Sequence, residues 1–246
     1  MTPRWRDGLR SAKLSDEVSG EKAMTEPALT ARGPAHHGAF VEVARGLVLA
    51  AMLAALAGMV DAIGYLHLKG LFVSFMSGNS TELAVALGHG DLDRGAKIAE
   101  LIALFVLGAA AGQMLANFAG RWHMTGVLIG VALLLTMAAV LSTTPEPMVF
   151  AMGALNASMR RAGNIPVSLT FVTGVLVRFG QGLGNFLTRR SSGWNWLAQA
   201  APWAGMVTGA TIGAAAYLRI GEPAIWVPIA LACLLAASSA TIWQAD

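Results

Sequence analysis

Long apolar runs with few charged residues constrain this chain more than any other feature of its sequence. Four of these runs occupy residues 46–66, 98–119, 125–142 and 198–217. A helix needs about 20 predominantly apolar residues to cross the hydrocarbon core of a bilayer, and each run is of that order. The sequence therefore predicts an all-α fold, a polytopic transmembrane helix bundle whose outer solvent is the lipid bilayer.

The composition excludes a water-soluble domain. Of the 246 residues, 55% are hydrophobic and 13% are charged, whereas roughly 25% are charged in an ordinary globular domain. A soluble domain needs a polar shell around its core, and the sequence after Leu47 has too few polar residues to form one. The net charge of +3 comes from residues scattered between apolar runs, which is typical of membrane topology signals. We therefore expect no nucleic-acid partner.

Polar breaks divide the membrane region into eight apolar segments. They are 46–66, 71–88, 97–119, 124–142, 148–160, 167–187, 198–218 and 223–243. Because some are short for a complete crossing, we expect a bundle of six to eight helices. Residues 1–45 mix basic and acidic side chains with Pro and Gly, so we expect a flexible tail. Its excess of Lys and Arg favours the cytoplasmic side of a bacterial inner membrane.

The two halves of the membrane region repeat one another. Three matches occur in order, at offsets of 95, 96 and 97 residues: Gly58-Met-Val-Asp61-Ala with Gly153-Ala-Leu-Asn156-Ala, Ser77-Gly78 with Thr173-Gly174, and Gly108-Ala-Ala-Ala-Gly112 with Gly205-Met-Val-Thr-Gly209. The chain is therefore predicted to hold two tandem repeats, at 46–142 and 148–243. The copies are parallel if all four segments of each repeat cross, and inverted if one is a half-span. The sequence leaves both arrangements open.

These paired motifs resemble those of the YoaK-type family of bacterial multi-pass membrane proteins, which carries a domain of unknown function. The resemblance rests on Gly58-Met-Val-Asp61-Ala-Ile-Gly64-Tyr-Leu, Leu71-Phe-Val-Ser-Phe-Met-Ser77-Gly78-Asn79, Ala151-Met-Gly153-Ala-Leu-Asn156-Ala and Val172-Thr173-Gly174. It covers about 46–243 and leaves out the tail. Ser77 stands where the family usually carries Thr. The resemblance implies a helical membrane fold and no particular activity.

Asp61 is an ionisable residue inside the first apolar segment. A carboxylate at the centre of a membrane helix costs about 2.5–3.5 kcal/mol on insertion scales, so it must face the bundle interior, pair or carry a proton. The alternative is a structural role near the headgroups, where Asp61 caps the break at 67–70. Its repeat mate Asn156 is a neutral isostere, which suits either a fixed hydrogen-bond donor beside an ion site or a bond between helices.

Ser77, Gly78, Asn79 and Thr81 interrupt the second apolar segment, and Thr173 and Gly174 occupy the corresponding place in the second half. An unwound backbone at such a depth needs protein or a water-filled cavity around it, and transporters use these breaks to bind substrates or ions. Alternatively, the hydroxyls bond to carbonyls one turn earlier and bend an intact helix. Both interpretations remain open on the sequence.

Two charged residues one turn further along are predicted to meet. The offset of 96 places Glu82 opposite Arg178, and each would be costly alone in lipid. We therefore expect an intramembrane ion pair between them. A helix running from Thr170 places Gly174, Arg178 and Gln181 on one face, which we expect to point into the bundle.

Glycines at every fourth position are predicted to pack helices closely. They are Gly108, Gly112, Gly205, Gly209 and Gly213. Small residues at this spacing let two helix backbones approach each other.

The remaining sequence carries no nucleophile motif, phosphate-binding loop or zinc-ligand spacing. We therefore expect no enzymatic activity, catalytic residue, cofactor or metal. The hypothesis that best fits the repeats and the intramembrane charges is a small secondary transporter for an unidentified solute or ion. A non-transporting sensor, scaffold or assembly partner is the alternative, and a membrane-embedded enzyme is the least supported.

Overall fold

The structure, a computed structural model, describes residues 35–141, 145–158, 172–190 and 195–241. Most of the predicted tail, through residue 34, and Thr170, the predicted start of the polar helix, lie outside the described residues. The chain divides into two units, Met1–Phe40 and Val41–Asp246, and the helix packing described below belongs to the second.

Every regular element within the described ranges is helical, which confirms the predicted all-α class. In chain order the helices are α1 (Ala35–His67), α2 (Met76–Gly88), α3 (Leu92–Ala119), α4 (His123–Leu141), α5 (Glu146–Ser158), α6 (Val172–Leu187), α7 (Ala201–Ile220) and α8 (Trp226–Thr241). Short 3₁₀ turns lie at Gly120–Trp122, Asn195–Ala200 and Glu222–Ile225.

Helix α1 begins earlier than the apolar pattern predicts and ends at a left-handed turn. Residues 35–45, which the composition assigns to the flexible tail, are helical. At the other end, Lys69 and Gly70 have φ values of 51° and 106°, and the N–H of Gly70 donates to the carbonyl of Tyr65 at 2.9 Å. Such a turn satisfies the last carbonyls of a helix and reverses the chain.

The second apolar segment is helical only in its later part. Residues 68–75, the return segment, are not helical and run back along α1, and α2 starts at Met76. Gly64 makes this approach possible, because a Cβ there would collide with the side chain of Val73. The chain break therefore lies just before Ser77, Gly78 and Asn79, which sit in the first turn of α2.

The predicted packing glycines lie at two close helix contacts. A Cβ on Gly108 or Gly112 of α3 would collide with the backbone of Phe150 or Ala154 of α5. Because both pairs of numbers rise together, α3 and α5 run in the same direction. Backbones this close gain van der Waals contact that larger side chains would prevent.

The contact between α1 and α7 repeats this arrangement. A Cβ on Gly205, Gly209 or Gly213 would collide with the backbone of Ala51, Ala55 or Met59, in that order. The two helices therefore also run in the same direction. All five glycines lie where the spacing predicts, at backbone-to-backbone contacts between helices.

Helices α1 and α5 run in opposite directions. Ile63 and His67, near the end of α1, and Met148, near the start of α5, line one cavity of about 40 Å³. Helices α4 and α8 are likewise antiparallel, since the hydroxyl of Thr125 near the start of α4 lies 2.8 Å from that of Ser239 near the end of α8. These directions fix how the chain passes through the bundle.

The helices enclose an apolar core and expose apolar side chains outside it. The largest fully buried side chains are Leu53, Leu56, Val60, Val73, Ile98, Val127, Leu128, Val131, Leu135, Met152 and Leu155. Three described stretches are long and apolar enough to cross a membrane, Ala44–His67, Leu92–Leu141 and Glu222–Ala240. The second of these contains both α3 and α4. Their length and composition indicate a protein that resides in a bilayer.

Candidate functional site

Asp61 holds the return segment against the last two turns of α1. Its Oδ1 accepts hydrogen bonds from the backbone N–H groups of Val73 at 2.8 Å and Ser74 at 2.7 Å. Its Oδ2 accepts one from the hydroxyl of Ser74 at 2.6 Å. The side chain is buried, so these donors replace the water that a carboxylate would otherwise require.

Asn79, in the first turn of α2, also holds the return segment. Its Oδ1 accepts from the N–H of Phe72 at 2.9 Å, and its Nδ2 donates to the carbonyl of Phe72 at 2.7 Å. The amide thus binds both backbone groups of one residue, as a neighbouring strand would. Asn79 is 0% exposed, and leaving the two groups unpaired at such a site would be costly.

The other residues of the first-half motif have local roles. Ser77 is exposed, and Thr81 donates its hydroxyl hydrogen bond to the carbonyl of Ser77 at 3.1 Å, which is the helix-bending alternative. Gly78 lies against the rings of Phe72 and Phe75, and a Cβ there would be 2.9 Å from both. This glycine therefore lets the aromatic side chains cover the start of α2.

The predicted ion pair between Glu82 and Arg178 is wrong. Glu82 pairs with Arg94 instead, with Arg94 Nη2 and Glu82 Oε2 3.0 Å apart. The Arg94 side chain is 48% exposed and that of Glu82 is 40% exposed. The physical reason is proximity along the chain, since the end of α2 packs against the start of α3. Arg178 is exposed and makes no ion pair within the part of the chain that the structure describes.

The polar face of α6 also differs from the prediction. Arg178 and Gln181 are exposed, and Gly174 is half-buried. A neighbouring face of the helix packs inward, where Val175 is buried and the ring of Phe179 lies 5.1 Å from that of Trp196. Burial of the apolar face therefore decides the orientation of α6, and its polar face points outward.

Asn156 and Thr173 are the described second-half counterparts of Asp61 and Ser77. Asn156 is half-buried, and its Nδ2 donates to the carbonyl of Met152 at 2.8 Å, a bond within its own helix. Thr173 lies in the first turn of α6 and borders the same cavity as Asp61. The fold therefore brings Asp61 and Thr173 together from opposite halves of the sequence.

A cavity of about 500 Å³ lies between α1, the return segment, α7 and the start of α6. Its lining residues are Asp61, Ala62, Tyr65, Leu66, Phe72, Phe75, Thr173, Met206, Ala210, Ala214 and Leu218. Small-molecule sites typically occupy about 300–1,000 Å³ and are mostly apolar with a few polar groups. The cavity matches that description and is our candidate functional site.

Sequence reasoning missed most of this lining. Met206, Ala210, Ala214 and Leu218 follow one another at every fourth position, next to the glycines of the same helix. That spacing alone predicts a second stripe of apolar residues along α7, so these four residues were predictable from the sequence. The aromatic residues gave no comparable signal, because only the return segment brings Phe72 and Phe75 beside Tyr65.

Among the described residues, no three His, Cys, Asp or Glu side chains lie close enough to hold a metal ion. The single cysteine, Cys233, is exposed on α8. The cavity is therefore the feature of the described chain with the clearest capacity to bind a ligand.

Apolar helices of spanning length, arranged around a buried carboxylate and a cavity, define an α-helical integral membrane protein. The chain belongs to the family described as protein of unknown function (DUF1275), whose model matches residues 49–238. It is similar to the UPF0700 transmembrane protein RA0705 of Rhizobium meliloti (strain 1021), with 43% identity over 207 residues, 81% of this chain and 89% of that protein. No solved structure matches the chain.

Proposed function

We propose that this protein is a small secondary transporter of the bacterial inner membrane, and that the cavity beside Asp61 is its substrate site. The observation that carries the proposal is the meeting of Asp61 and Thr173, from opposite halves of the chain, at one cavity of about 500 Å³. Transporters built from two repeats place their substrate sites at the repeat interface, beside discontinuous helices.

The repeat is part of the proposal, and reciprocal contacts support it. Gly58 of α1 lies against Met206 and Ala210 of α7, and Gly153 of α5 lies against Phe105 and Ala109 of α3. Gly153 follows Gly58 by 95 positions, while Met206 and Ala210 follow Phe105 and Ala109 by 101. The first helix of each repeat thus contacts the third helix of the other.

The same contacts favour a different alignment of the third helices. Gly108 and Gly112 face Phe150 and Ala154. At the offset of 95, the first-half counterparts of Phe150 and Ala154 are Ala55 and Met59. These two residues face Gly209 and Gly213. Gly108 therefore corresponds best to Gly209 rather than to Gly205. The offset of 97 from the sequence falls short of this alignment by one helical turn, because glycines at every fourth position match at either register.

We further propose that the repeats, 46–142 and 148–243, are inverted with six crossings, made by α1, α3, α4, α5, α7 and α8. The opposite directions of α1 and α5, the first helices of the two repeats, support this arrangement. The second helices would then be half-spans: α2 starts beside Asp61 and packs at its end against the start of α3. Helix α6 starts at the cavity and ends near Trp196, just before α7.

Loop charges support the inverted arrangement as well. Arg160 and Arg161 follow α5 in the sequence, and Arg189 and Arg190 follow α6. If α6 crosses, the two pairs lie on opposite sides of the membrane; if α6 is a half-span, they lie on the same side, together with the N-terminal tail. Because basic residues accumulate on the cytoplasmic side, the half-span satisfies the charge rule and places the tail in the cytoplasm.

Uptake into proteoliposomes tests the proposal. Purified protein is reconstituted and supplied with a panel of radiolabelled solutes under imposed proton and sodium gradients. We expect uptake of at least one solute, lost in Ala214→Trp, which fills the cavity, and retained in Ala110→Trp, on the exposed side of α3. Lack of gradient-driven uptake for every solute, or equal uptake by both variants, would contradict it.

One observation favours a second candidate function, that of a non-transporting membrane scaffold or sensor. Asp61 and Asn79 both hydrogen-bond to the backbone of the return segment, as purely structural residues do. A partner that stays bound through purification, together with an absence of uptake, would favour this alternative. Neither candidate assigns the protein a catalytic residue, a cofactor or a nucleic-acid partner.

A further inference from the structure

The aromatic residues at the cavity form a continuous group. The ring centroids of Tyr65 and Phe72 are 4.8 Å apart, and those of Phe72 and Phe75 are 5.4 Å apart with an edge-on interplanar angle of 73°. All three side chains line the cavity. Aromatic faces carry negative electrostatic potential and attract cations, most strongly where water is excluded.

The charged and polar groups of the lining also favour a cation over an anion. Among the described residues of the lining, Asp61 is the one carboxyl group, and none is Lys, Arg or His. Oδ1 accepts two backbone N–H bonds and Oδ2 accepts one from the Ser74 hydroxyl, so the polar atoms of Asp61 at this wall are hydrogen-bond acceptors.

We propose that the substrate of this cavity is a lipophilic organic cation, an ammonium or phosphonium centre bearing apolar groups. This inference rests on the proposed transport function and names its substrate class. The cationic centre lies beside Asp61 and the rings of Phe72 and Phe75, and its apolar groups contact Met206 and Leu218. A carboxylate or phosphate has no cationic partner among the lining residues that the structure describes, so we expect it to be rejected.

Binding of tetraphenylphosphonium to the purified full-length protein tests the substrate class. Equilibrium dialysis in detergent, corrected with protein-free micelles, gives the dissociation constant, and triphenylphosphine oxide serves as a neutral comparator of similar shape. We expect saturable binding of the cation, at least about tenfold tighter than that of the neutral compound. Ala214→Trp should abolish it, whereas Ala110→Trp should leave it unchanged.

Conservative aromatic variants separate the cation site from a merely apolar one. Phe72→Leu and Phe75→Leu keep an apolar side chain but remove the aromatic face, and each should weaken cation binding about tenfold. The neutral compound should be affected less. Phe118→Leu, at an 85% exposed position of α3, is the matched control. Melting temperatures in the same detergent show that each variant is folded.

The outcomes distinguish the substrate class from the proposed function. If both compounds bind equally well and Ala214→Trp blocks both, the cavity is a ligand site but the cation proposal is overturned. If neither compound responds to Ala214→Trp, both compounds miss the cavity; the cation proposal fails, and the uptake panel alone decides the transport function. Cation-selective binding that Phe72→Leu and Ala214→Trp both weaken supports the proposal.

Discussion

The carboxylate of Asp61 and the residue Ser74 share two hydrogen bonds, one from the backbone N–H at 2.7 Å and one from the hydroxyl at 2.6 Å. They join the last two turns of α1 to a non-helical segment that has turned back alongside it. A residue pair separated by 13 positions thereby fixes where α2 begins.

Removing the carboxylate should destabilise the protein strongly. In Asp61→Ala, three buried donors from Val73 and Ser74 lose their acceptor, so we expect the free energy of unfolding to fall by roughly 3–5 kcal/mol. Asp61→Asn retains one acceptor oxygen and should lose only about 1–2 kcal/mol. Unfolding in mixed detergent measures both, and Asp93→Asn, at an exposed position, is the control. Stability of Asp61→Ala equal to that of the unaltered protein would contradict the structural role.

Enlarging the glycines between α1 and α7 should separate the helices. A Cβ on Gly209 would collide with the carbonyl of Ala55, and overpacking of this kind costs about 1–3 kcal/mol. Gly209→Ala should therefore lower the melting temperature. Gly130→Ala, where a Cβ meets no atom within 4 Å, should leave it unchanged or raise it. Equal melting of the two variants would show that the close contact does not form.

Neutralising Glu82 should have little effect. Its partner Arg94 and its own side chain are both partly exposed, and such pairs contribute about 0–1 kcal/mol. We expect the free energies of unfolding of Glu82→Gln and Arg94→Gln to lie within about 1 kcal/mol of that of the unaltered protein. If Glu82→Gln and Arg178→Gln each lowered the free energy of unfolding by several kcal/mol, the result would instead support the buried Glu82–Arg178 pair predicted from the sequence offset.

Single-cysteine labelling can determine the topology. In a Cys233→Ser background, Lys69→Cys and Asp91→Cys lie before and after α2, and Arg121→Cys lies between α3 and α4. The inverted arrangement with six crossings predicts that an impermeant maleimide labels the first two in intact spheroplasts and leaves the third unlabelled. Eight crossings would instead place positions 69 and 91 on opposite sides, so that only one of them is labelled.

Much of the fold could be predicted, because hydrophobic length and periodicity are local properties. The apolar segments correspond to α1–α8, and the glycine spacing identified five residues that lie at close helix contacts, although not the helices they contact. The candidate site was predicted less well. Asp61 and Thr173 do border one cavity, whereas Glu82 and Arg178 do not meet.

These failures share a physical cause. The sequence offset pairs positions of the two halves that are predicted to be equivalent, but it does not show which of those positions touch. Glu82 met Arg94 because adjacent helices α2 and α3 form a hairpin. Arg178 turned outward because the apolar face of α6, with Val175 and Phe179, packs inward.

The sequence by itself determined that this chain is helical and resides in a bilayer, because a run of apolar residues long enough to cross hydrocarbon has few other stable states. The tertiary structure decided where the chain turns back and which side chains surround the cavity. Those features depend on bonds between distant positions, such as Asp61 with Val73, and on helix partners such as α1 with α7. The local pattern of residues specifies neither these bonds nor these helix partners.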